Sequence, residues 1–464
     1  MEKEGNAMRA MYDSKTKTMD DHGIRVFLTK EAKYQSWLDV EAALAKAQGE
    51  LGIIPKNAAD KINEMCKLEN IDFAEMDRIY QEIGHGFVPF LKVLVKACGK
   101  ETGKFVHYGA TTQNIQQSAQ LLNMYRIHQK LVKVVANILE NLADLAEKHK
   151  NTVMAGRTHG RHAIPITYGY KVSIWINDFI DTIERLREAE KRVFQIMMGG
   201  AIGAFNSLGE EGRKVQQRVA DILGMHAMEI PSRNINAHKI EYIMNLALLA
   251  SNCHKIAEEV YTTSIEEYGE VSEGFKKGTI GSSTMPHKIN PKLSKGIIAN
   301  SQKIYSLPQI GLVANARPFE ADSSSYMVFE AISEEAISLI IEIILRTEEL
   351  TRDIIIHKEK MYENVLVNKG LDNSEYIMMK IAEKIGKEEA HSLLYRLAME
   401  SITTKKEFAE VLMQDEKINS VFTIREVEEM LKPESYIGLS EVFANEMAKK
   451  ARLTAELIDK QTSS

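Results

Sequence analysis

The sequence predicts an all-α fold, and three observations support this class. Apolar residues recur every three or four positions over long stretches, which is the spacing of one helix face. Runs in which apolar and polar residues alternate, the pattern of strands, are nearly absent. Several helical stretches are about two to three times as long as the mean globular helix of about 11–12 residues, which favours a bundle of long helices.

The first long helix is predicted at residues 30–49, where Tyr34, Trp37 and Leu38 contribute to one apolar face. The sequence Gly-Ile-Ile-Pro at residues 52–55 ends this helix, because glycine and proline interrupt helices. Further long amphipathic helices are predicted at residues 113–150, 166–198, 238–268, 292–307 and 328–358.

Turn-forming residues divide this pattern into three predicted domains. We expect a small N-terminal helical domain over residues 1–111, a central long-helix bundle over residues 112–360 and a C-terminal helical domain over residues 361–464. The last boundary is placed near Asn-Lys-Gly-Leu at residues 368–371. Residues 240–256 of the central bundle are apolar on more than one face. They must therefore be buried within one subunit or against further copies of the chain.

Composition excludes several classes of protein. The 65 acidic and 59 basic residues give a net charge of −6, so no footprint for nucleic acid is expected. The apolar stretch at residues 336–345 contains Glu342 and is too short to span a bilayer, so no membrane partner is expected. The first residues lack the pattern of a secretion signal. Three scattered cysteines suggest neither a disulfide framework nor a zinc site, so we expect a reducing cytoplasm.

The most informative segment is the 281–291 loop, which reads Gly-Ser-Ser-Thr-Met-Pro-His-Lys-Ile-Asn-Pro. Glycine permits unusual backbone conformations and each proline fixes its own φ, so the loop has few available shapes. Ser282 is a candidate nucleophile or base, although serines in loops ordinarily make turn hydrogen bonds. Lys288 taken alone would be a solvated charge. Because it lies between two prolines with Asn290 beside it, we interpret this pair as an anion-binding site.

A second polar segment, residues 156–165, reads Gly-Arg-Thr-His-Gly-Arg-His-Ala-Ile-Pro. Here His159 is surrounded by hydrogen-bond donors that include Arg157 and Thr158, a cluster suited to carboxylates. A capping or buried packing role is the alternative for a histidine. His162 lies three residues from His159, but no further ligand occurs at metal spacing, so a metal site is not favoured.

A third polar segment precedes the helix predicted at residue 113. Its Thr111, Thr112 and Gln113 can cap that helix, since threonine is a preferred N-cap residue. They can also present free amides and a positive helix end to a carboxylate, and the two roles are compatible. Two further histidines, His85 in residues 82–89 and His107, are either structural or substrate-binding.

The 281–291 loop resembles the signature loop of the fumarase/aspartase superfamily, and its Met-Pro-His-Lys-x-Asn-Pro form is most similar to the adenylosuccinate lyase branch. Gly-Arg-Thr-His-Gly at residues 156–160 matches the family segment that carries the general acid. Trp-Leu-Asp-Val-Glu-Ala-Ala-Leu at residues 37–44 resembles the family's N-terminal helix, so the resemblance covers nearly the whole chain. It implies a homotetramer with a helical core and active sites shared between subunits.

The resemblance also implies a reaction, the anti β-elimination of fumarate from a small succinyl-substituted substrate, without a metal or organic cofactor. It assigns Ser282 as the base and His159 as the acid. The residues expected to bind the substrate are Lys288, Asn290, Thr111, Thr112, Gln113, Thr158, His85 and Arg157.

Two departures from the branch bear on the substrate. Asn114 replaces an acidic residue, and Ala321 replaces the arginine that helps to hold the nucleotide phosphate. Because arginine binds phosphate through two hydrogen bonds, its loss disfavours a nucleotide. We therefore expect an N- or S-succinyl amino acid, cleaved at a C–N or C–S bond. The alternatives are a genuine adenylosuccinate lyase of purine biosynthesis, a carboxymuconate cycloisomerase and a non-catalytic structural relative.

Overall fold

The computed structural model describes residues 19–275 and 281–462, with the side chains described up to residue 460. In these residues the chain is largely helical with few short strands, which confirms the all-α prediction. None of the described helices combines the length and apolar composition needed to cross a membrane.

The α-helices are α1 Lys30–Glu50, α2 Lys56–Met65, α3 Phe73–Ile83, α4 Val88–Cys98, α5 Lys100–Gly103, α6 Thr112–Lys148, α7 Tyr168–Val193, α8 Glu210–Leu223, α9 Ala237–Thr263, α10 Lys292–Ile304, α11 Leu307–Asn315, α12 Ser323–Asp353, α13 Lys358–Val365, α14 Ser374–Ile385, α15 Lys387–Thr404, α16 Phe408–Gln414, α17 Glu416–Asn419, α18 Ile424–Met430 and α19 Ser440–Thr462. Short 3-10 helices are Arg25–Leu28, Leu68–Asn70, Leu366–Asn368, Leu371–Asn373 and Pro433–Tyr436. The strands are β1 Val153–Thr158, β2 Arg161–Thr167, β3 Gln195–Ile196, β4 His226–Ala227, β5 Val271–Ser272 and β6 Ile355–Ile356.

The long helices begin and end close to where periodicity predicts them. Helix α1 starts where Thr29 caps it, its side chain accepting a hydrogen bond from the amide of Ala32 at 3.1 Å. The helix predicted at 292–307 ends at Ile304, and a separate helix, α11, begins at Leu307. Pro308 lies in the first turn of α11, a position that proline tolerates far better than a helix interior.

The main difference from the prediction is a hairpin. Strands β1 and β2 pair antiparallel, with Val153 opposite Thr167 and Thr158 opposite Arg161, where the sequence predicts only a glycine-containing loop. A register shift lies between Ala155 and Arg157. The remaining strands form two-residue pairs, β3 with β4 in parallel and β5 with β6 antiparallel.

The described chain divides into two compact units. Unit 1 comprises residues 19–134, 182–253 and 296–345. Its core includes an aromatic cluster in which the ring of Trp37 lies 5.0 Å from Phe87 and 5.3 Å from Phe90. Such edge-on contacts stabilise a core by about 0.5–1.5 kcal/mol beyond the area that they bury.

Unit 2 comprises residues 135–181, 254–275, 281–295 and 346–462. Its C-terminal helices α14 to α18 enclose a buried apolar cluster. The members of that cluster include Ile377, Ile381, Leu393, Leu394, Leu397, Phe408, Leu412 and Val427. The three-domain division at residues 111/112 and 360/361 stays a prediction.

All three cysteines are buried. Burial raises the pKa of the Cys66 thiol well above its ordinary range and that of Cys98 to about 11. Both of these thiols are therefore protonated at neutral pH.

Lys239 on α9 is a buried lysine in unit 1. Its Nζ donates to Asn236 Oδ1 at 3.1 Å and lies 5.4 Å from the ring centre of Phe329. Burial lowers the pKa of Lys239 to about 7, and the negative charge of Glu330 offsets only part of that effect.

This pKa makes stability depend on pH. Between about pH 7 and the ordinary lysine value of 10.5, the unfolded chain binds a proton that the folded protein does not, so the free energy of unfolding rises with pH. We expect Lys239→Met to raise the melting temperature at about pH 7, with a gain that vanishes near pH 10.5. Thermal melting across this range measures the effect, with exposed Lys92→Met as control. An equal gain at both ends would contradict the assignment.

Candidate active site

The 281–291 loop closes on itself within unit 2. The side-chain amide of Asn290 donates to the carbonyl of Gly281 at 2.9 Å, and the amide of Lys288 donates to the carbonyl of Met285 at 3.0 Å. A Cβ atom at position 281 would lie 2.2 Å from the carbonyl oxygen of Lys288, so only glycine fits. The loop is therefore confirmed as non-helical, with one defined shape.

The end of this loop is fixed by Glu273. Its carboxylate accepts hydrogen bonds from the amides of Leu293 at 2.9 Å and Ser294 at 2.6 Å, in the first turn of α10. A carboxylate at a helix N-terminus satisfies free amides and favours the positive end of the helix dipole. Glu273 thus anchors the point where the loop enters α10.

Ser282 lies where backbone donors surround its oxygen. Its Oγ accepts hydrogen bonds from the amides of Thr284 at 3.3 Å and Met285 at 3.1 Å. The same contacts occur in ordinary serine turns, yet they also stabilise negative charge on that oxygen. Lys288 is exposed on the same loop and makes no ion pair with any residue that the structure describes.

His159 and Gly160 form the two-residue turn of the β1–β2 hairpin. Their φ values of +52° and +71° are both positive, as a type I′ hairpin turn requires. A non-glycine residue in this region costs about 1–2 kcal/mol, and such strain concentrates at functional sites. The imidazole of His159 is exposed at the tip of the hairpin, next to exposed Thr158.

Arg157 lies on β1, and its guanidinium contacts Glu270 and Tyr268 of the same unit, unit 2. Its Nη1 donates to Glu270 at 3.0 Å, and the guanidinium lies 5.3 Å from the ring centre of Tyr268. Glu270 is buried and also accepts from Asn364 at 2.9 Å. Burial alone would lower the pKa of Arg157, but the hydrogen bond and charge of Glu270 raise it above its ordinary value.

The segment that contains Thr111, Thr112 and Gln113 is held in unit 1 by Asn114. The side-chain oxygen of Asn114 accepts from the amides of Thr111 at 3.0 Å and Gly200 at 3.1 Å. Asn114 is fully buried, so it clamps the start of α6 against the glycine-rich loop around residue 200.

The two remaining histidines have different environments in unit 1. His85 Nδ1 accepts the amides of Phe87 and Val88 at 3.1 Å each, so the imidazole caps α4 and its proton resides on Nε2. His107 Nδ1 lies 2.6 Å from the carboxylate of Glu41, which is buried. The described polar contact of the His107 side chain is thus with Glu41, whereas His85 Nε2 makes no hydrogen bond to any residue that the structure describes.

One chain brings together only part of the predicted site. Ser282, Lys288 and Asn290 share the 281–291 loop, but no hydrogen bond or ion pair between the described residues joins Ser282 or Lys288 to His159. His85 and the start of α6 belong to the other unit. Within the described ranges, no three side chains of the metal-ligating types come together as a metal site.

Sequence reasoning missed the residues that support these groups. Glu273, Glu270 and Glu41 each hold a predicted segment in place through a partner distant in sequence. Asn114 was noted only as a substitution. No local motif could have identified these pairs, because each partner belongs to another element.

Two family models match the chain. The family described as Lyase matches residues 15–305, and the family described as Adenylosuccinate lyase C-terminus matches residues 370–447. The first match spans more than half of the sequence. The chain therefore belongs to this lyase family.

Relatives that match this chain over most of their length are also named as lyases. The N-acetyl-S-(2-succino)cysteine lyase of Enterococcus italicus is 34% identical, over 90% of this chain and 91% of its own. The adenylosuccinate lyase of Methanocaldococcus jannaschii is also 34% identical, over 90% and 92%. The solved fumarate lyase of Mesorhizobium sp. BNC1 superimposes with a TM-score of 0.85 at 27% identity, covering 93% of this chain and 98% of its own. The protein is a fumarate-releasing lyase of the adenylosuccinate lyase-like kind.

The tight packing at Gly281 allows a test of the loop. We expect Gly281→Ala to displace the loop, because its new Cβ would meet the carbonyl of Lys288 at 2.2 Å. A displacement of about 1 Å lowers kcat/KM by about 10²-fold. Fumarate absorbance measures the rate, and thermal melting checks that the fold persists. Unchanged kcat/KM would show that the loop shape is not needed.

Proposed function

We propose that the protein cleaves a succinyl-substituted amino acid, joined through nitrogen or sulfur, by anti β-elimination of fumarate. The observation that carries this proposal is the position of Ser282, whose oxygen accepts two backbone amides within the loop that carries Lys288. A serine hydroxyl is too weak a base unless donors and positive charge stabilise its anion. The loop offers both.

In the proposed reaction, the Ser282 alkoxide removes a proton from the carbon next to one carboxylate. The electron pair left behind spreads into that carboxylate, forming a dianionic intermediate. Lys288, Asn290 and the amides at Thr111, Thr112 and Gln113 stabilise its charge. The bond from the neighbouring carbon to nitrogen or sulfur then breaks, and its electron pair leaves with the heteroatom.

His159 supplies the proton that the departing heteroatom needs. The products are fumarate and a neutral amine or thiol, so one proton is taken by Ser282 and one is given by His159. The exposed position at the hairpin tip supports this role, since the imidazole is free to meet a bound molecule. The organic substrate itself carries the charge of the intermediate, so the scheme uses no cofactor.

The other predicted contacts fit around this scheme. Thr158, next to His159, and the Nε2 proton of His85 are the proposed donors to the substrate carboxylates. Substrate binding by Arg157 stays a prediction, because the described contacts of its guanidinium are to Glu270 and Tyr268. The ion pair with Glu270 instead suits Arg157 to holding strand β1 in position.

A homotetramer with shared active sites completes the proposal. This assembly is supported by the single chain, in which proposed site residues and nearby apolar side chains are both exposed. Met285 and Ile289 are exposed on the 281–291 loop, and Met244 and Leu248 are exposed one turn apart on α9. Apolar groups in such places favour contact with another protein surface. We expect a cytoplasmic enzyme without membrane or nucleic-acid partners.

The substrate class rests on two observations. Ala321 replaces the phosphate-binding arginine of the adenylosuccinate lyase branch, and a relative at 34% identity is named for an N-acetylated succinocysteine. Adenylosuccinate is the second candidate, because a relative of equal identity is named for that reaction. Both substrates undergo the same elimination.

The two candidates differ in a direct assay. We expect fumarate release from S-succinylcysteine or its N-acetyl derivative with a higher kcat/KM than from adenylosuccinate, because the phosphate lacks its arginine. Fumarate absorbance measures each rate. Ser282→Ala should lower the rate by about 10²–10⁴-fold while leaving the melting temperature unchanged. Efficient cleavage of adenylosuccinate alone would exclude the amino-acid substrate.

The acid is tested by His159→Asn, since asparagine also tolerates a positive φ and should preserve the hairpin. We expect kcat to fall by about 10²–10⁴-fold for an N-succinyl substrate. The fall should be smaller for an S-succinyl substrate, because a thiolate leaves without prior protonation more readily than an amide ion. Equal losses for both substrates would argue against proton donation by His159.

A further inference from the structure

Unit 1 contains a pocket of about 610 Å³, a size that suits a small metabolite. Its walls come from residues 27–37, from the first half of α6 and from the first half of α12. Aromatic rings contribute much of the lining. They include Phe27, Tyr34, Trp37 and Tyr326.

This pocket adjoins the predicted substrate-binding segments of the same unit. Gly86, which directly follows His85, lines it, and so does Gln116, one turn after Gln113 on α6. A molecule in the pocket would therefore lie beside residues that are proposed to hold the substrate.

Polar atoms of the pocket lining have no hydrogen-bond partner among the described residues. They are both amide atoms of Gln120, Oδ1 of Asn123 and Oγ of Ser333. Asn123 is oriented by its other amide atom, since its Nδ2 donates to the carbonyl of Phe27 at 2.7 Å. Buried polar atoms without partners are costly, so these side chains are suited to a bound molecule. Together they offer a donor and several acceptors, the complement of a secondary amide.

The charges in the pocket do not suit a phosphate. Lys33 Nζ lies 2.9 Å from Glu330 and 4.0 Å from Glu334. Burial alone would lower the pKa of Lys33, but the hydrogen bond and charges of these carboxylates raise it, so the ion pair persists. Lys30 lies 5.8 Å from the ring centre of Tyr34. Among the described residues, two lysines and two glutamates line the pocket and no arginine does.

We infer that this pocket holds the leaving group of the substrate and selects one with a secondary amide, such as an N-acylated amino acid. Gln120, Asn123 and Ser333 are its specificity-determining residues. The inference rests on the proposed function for the identity of the leaving group. The amide-binding pocket itself is tested separately, by binding.

The kinetic experiment compares S-succinylcysteine with its N-acetyl derivative. Gln120→Met keeps the length of the side chain and removes its amide. We expect it to lower kcat/KM about tenfold for the N-acetyl substrate, chiefly through KM, and less than about twofold for the free amine. Ser333→Ala should act in the same direction. The matched control is Gln217→Met, an exposed glutamine on α8 outside the pocket, which should change neither substrate. Equal effects on both substrates would overturn the inference.

The binding experiment uses calorimetry with N-acetylcysteine and with cysteine, on wild type and Gln120→Met. We expect tighter binding of N-acetylcysteine to wild type and loss of that preference in the variant. If neither succinyl substrate releases fumarate but this preference is present, the proposed function fails and the amide pocket stands. If wild type binds neither compound, or binds inorganic phosphate more tightly than N-acetylcysteine, the pocket assignment is overturned.

Discussion

A serine can act as a base only where its oxygen meets donors that hold negative charge, and in this protein the packing of Gly281 provides that condition. The absence of a side chain lets the backbone at residue 281 approach Lys288, and Asn290 then ties the two ends of the turn together. The resulting curvature directs the amides of Thr284 and Met285 at Ser282. Lys288, the cation proposed to balance that charge, lies on the same short segment as Ser282, the proposed base.

The proposed acid, His159, lies at the tip of a short hairpin in a largely helical protein. A helix surface would surround His159 with its neighbours one turn away. The two-residue turn instead exposes the imidazole of His159 at the hairpin tip, and His159 adopts a strained, positive φ. Buried Glu270, through Arg157 on β1, holds the hairpin two residues before His159. The proposed acid thus lies on a projecting turn whose flanking strand is fixed by a buried carboxylate.

Periodicity was sufficient to predict the fold class and the long helices, and local composition was sufficient to predict the 281–291 loop and the segments around His159 and Thr111. The hairpin was missed because its strands are short and their pairing leaves little alternating pattern. The supporting pairs could not be predicted at all. His107 and Glu41 are 66 residues apart, and Asn114 and Gly200 are 86 apart, so only the folded chain brings them together. The pocket of unit 1 is lined from four stretches distant in sequence, so it could not be predicted for the same reason.

The buried cysteines bear on product chemistry. An elimination that cleaves a C–S bond releases a small thiol next to the enzyme. In air, such compounds oxidise and form mixed disulfides with accessible thiolates by exchange. Cys66 and Cys98 are buried and protonated, and Cys253 is buried as well. If the product is a thiol, these cysteines therefore resist forming mixed disulfides with it.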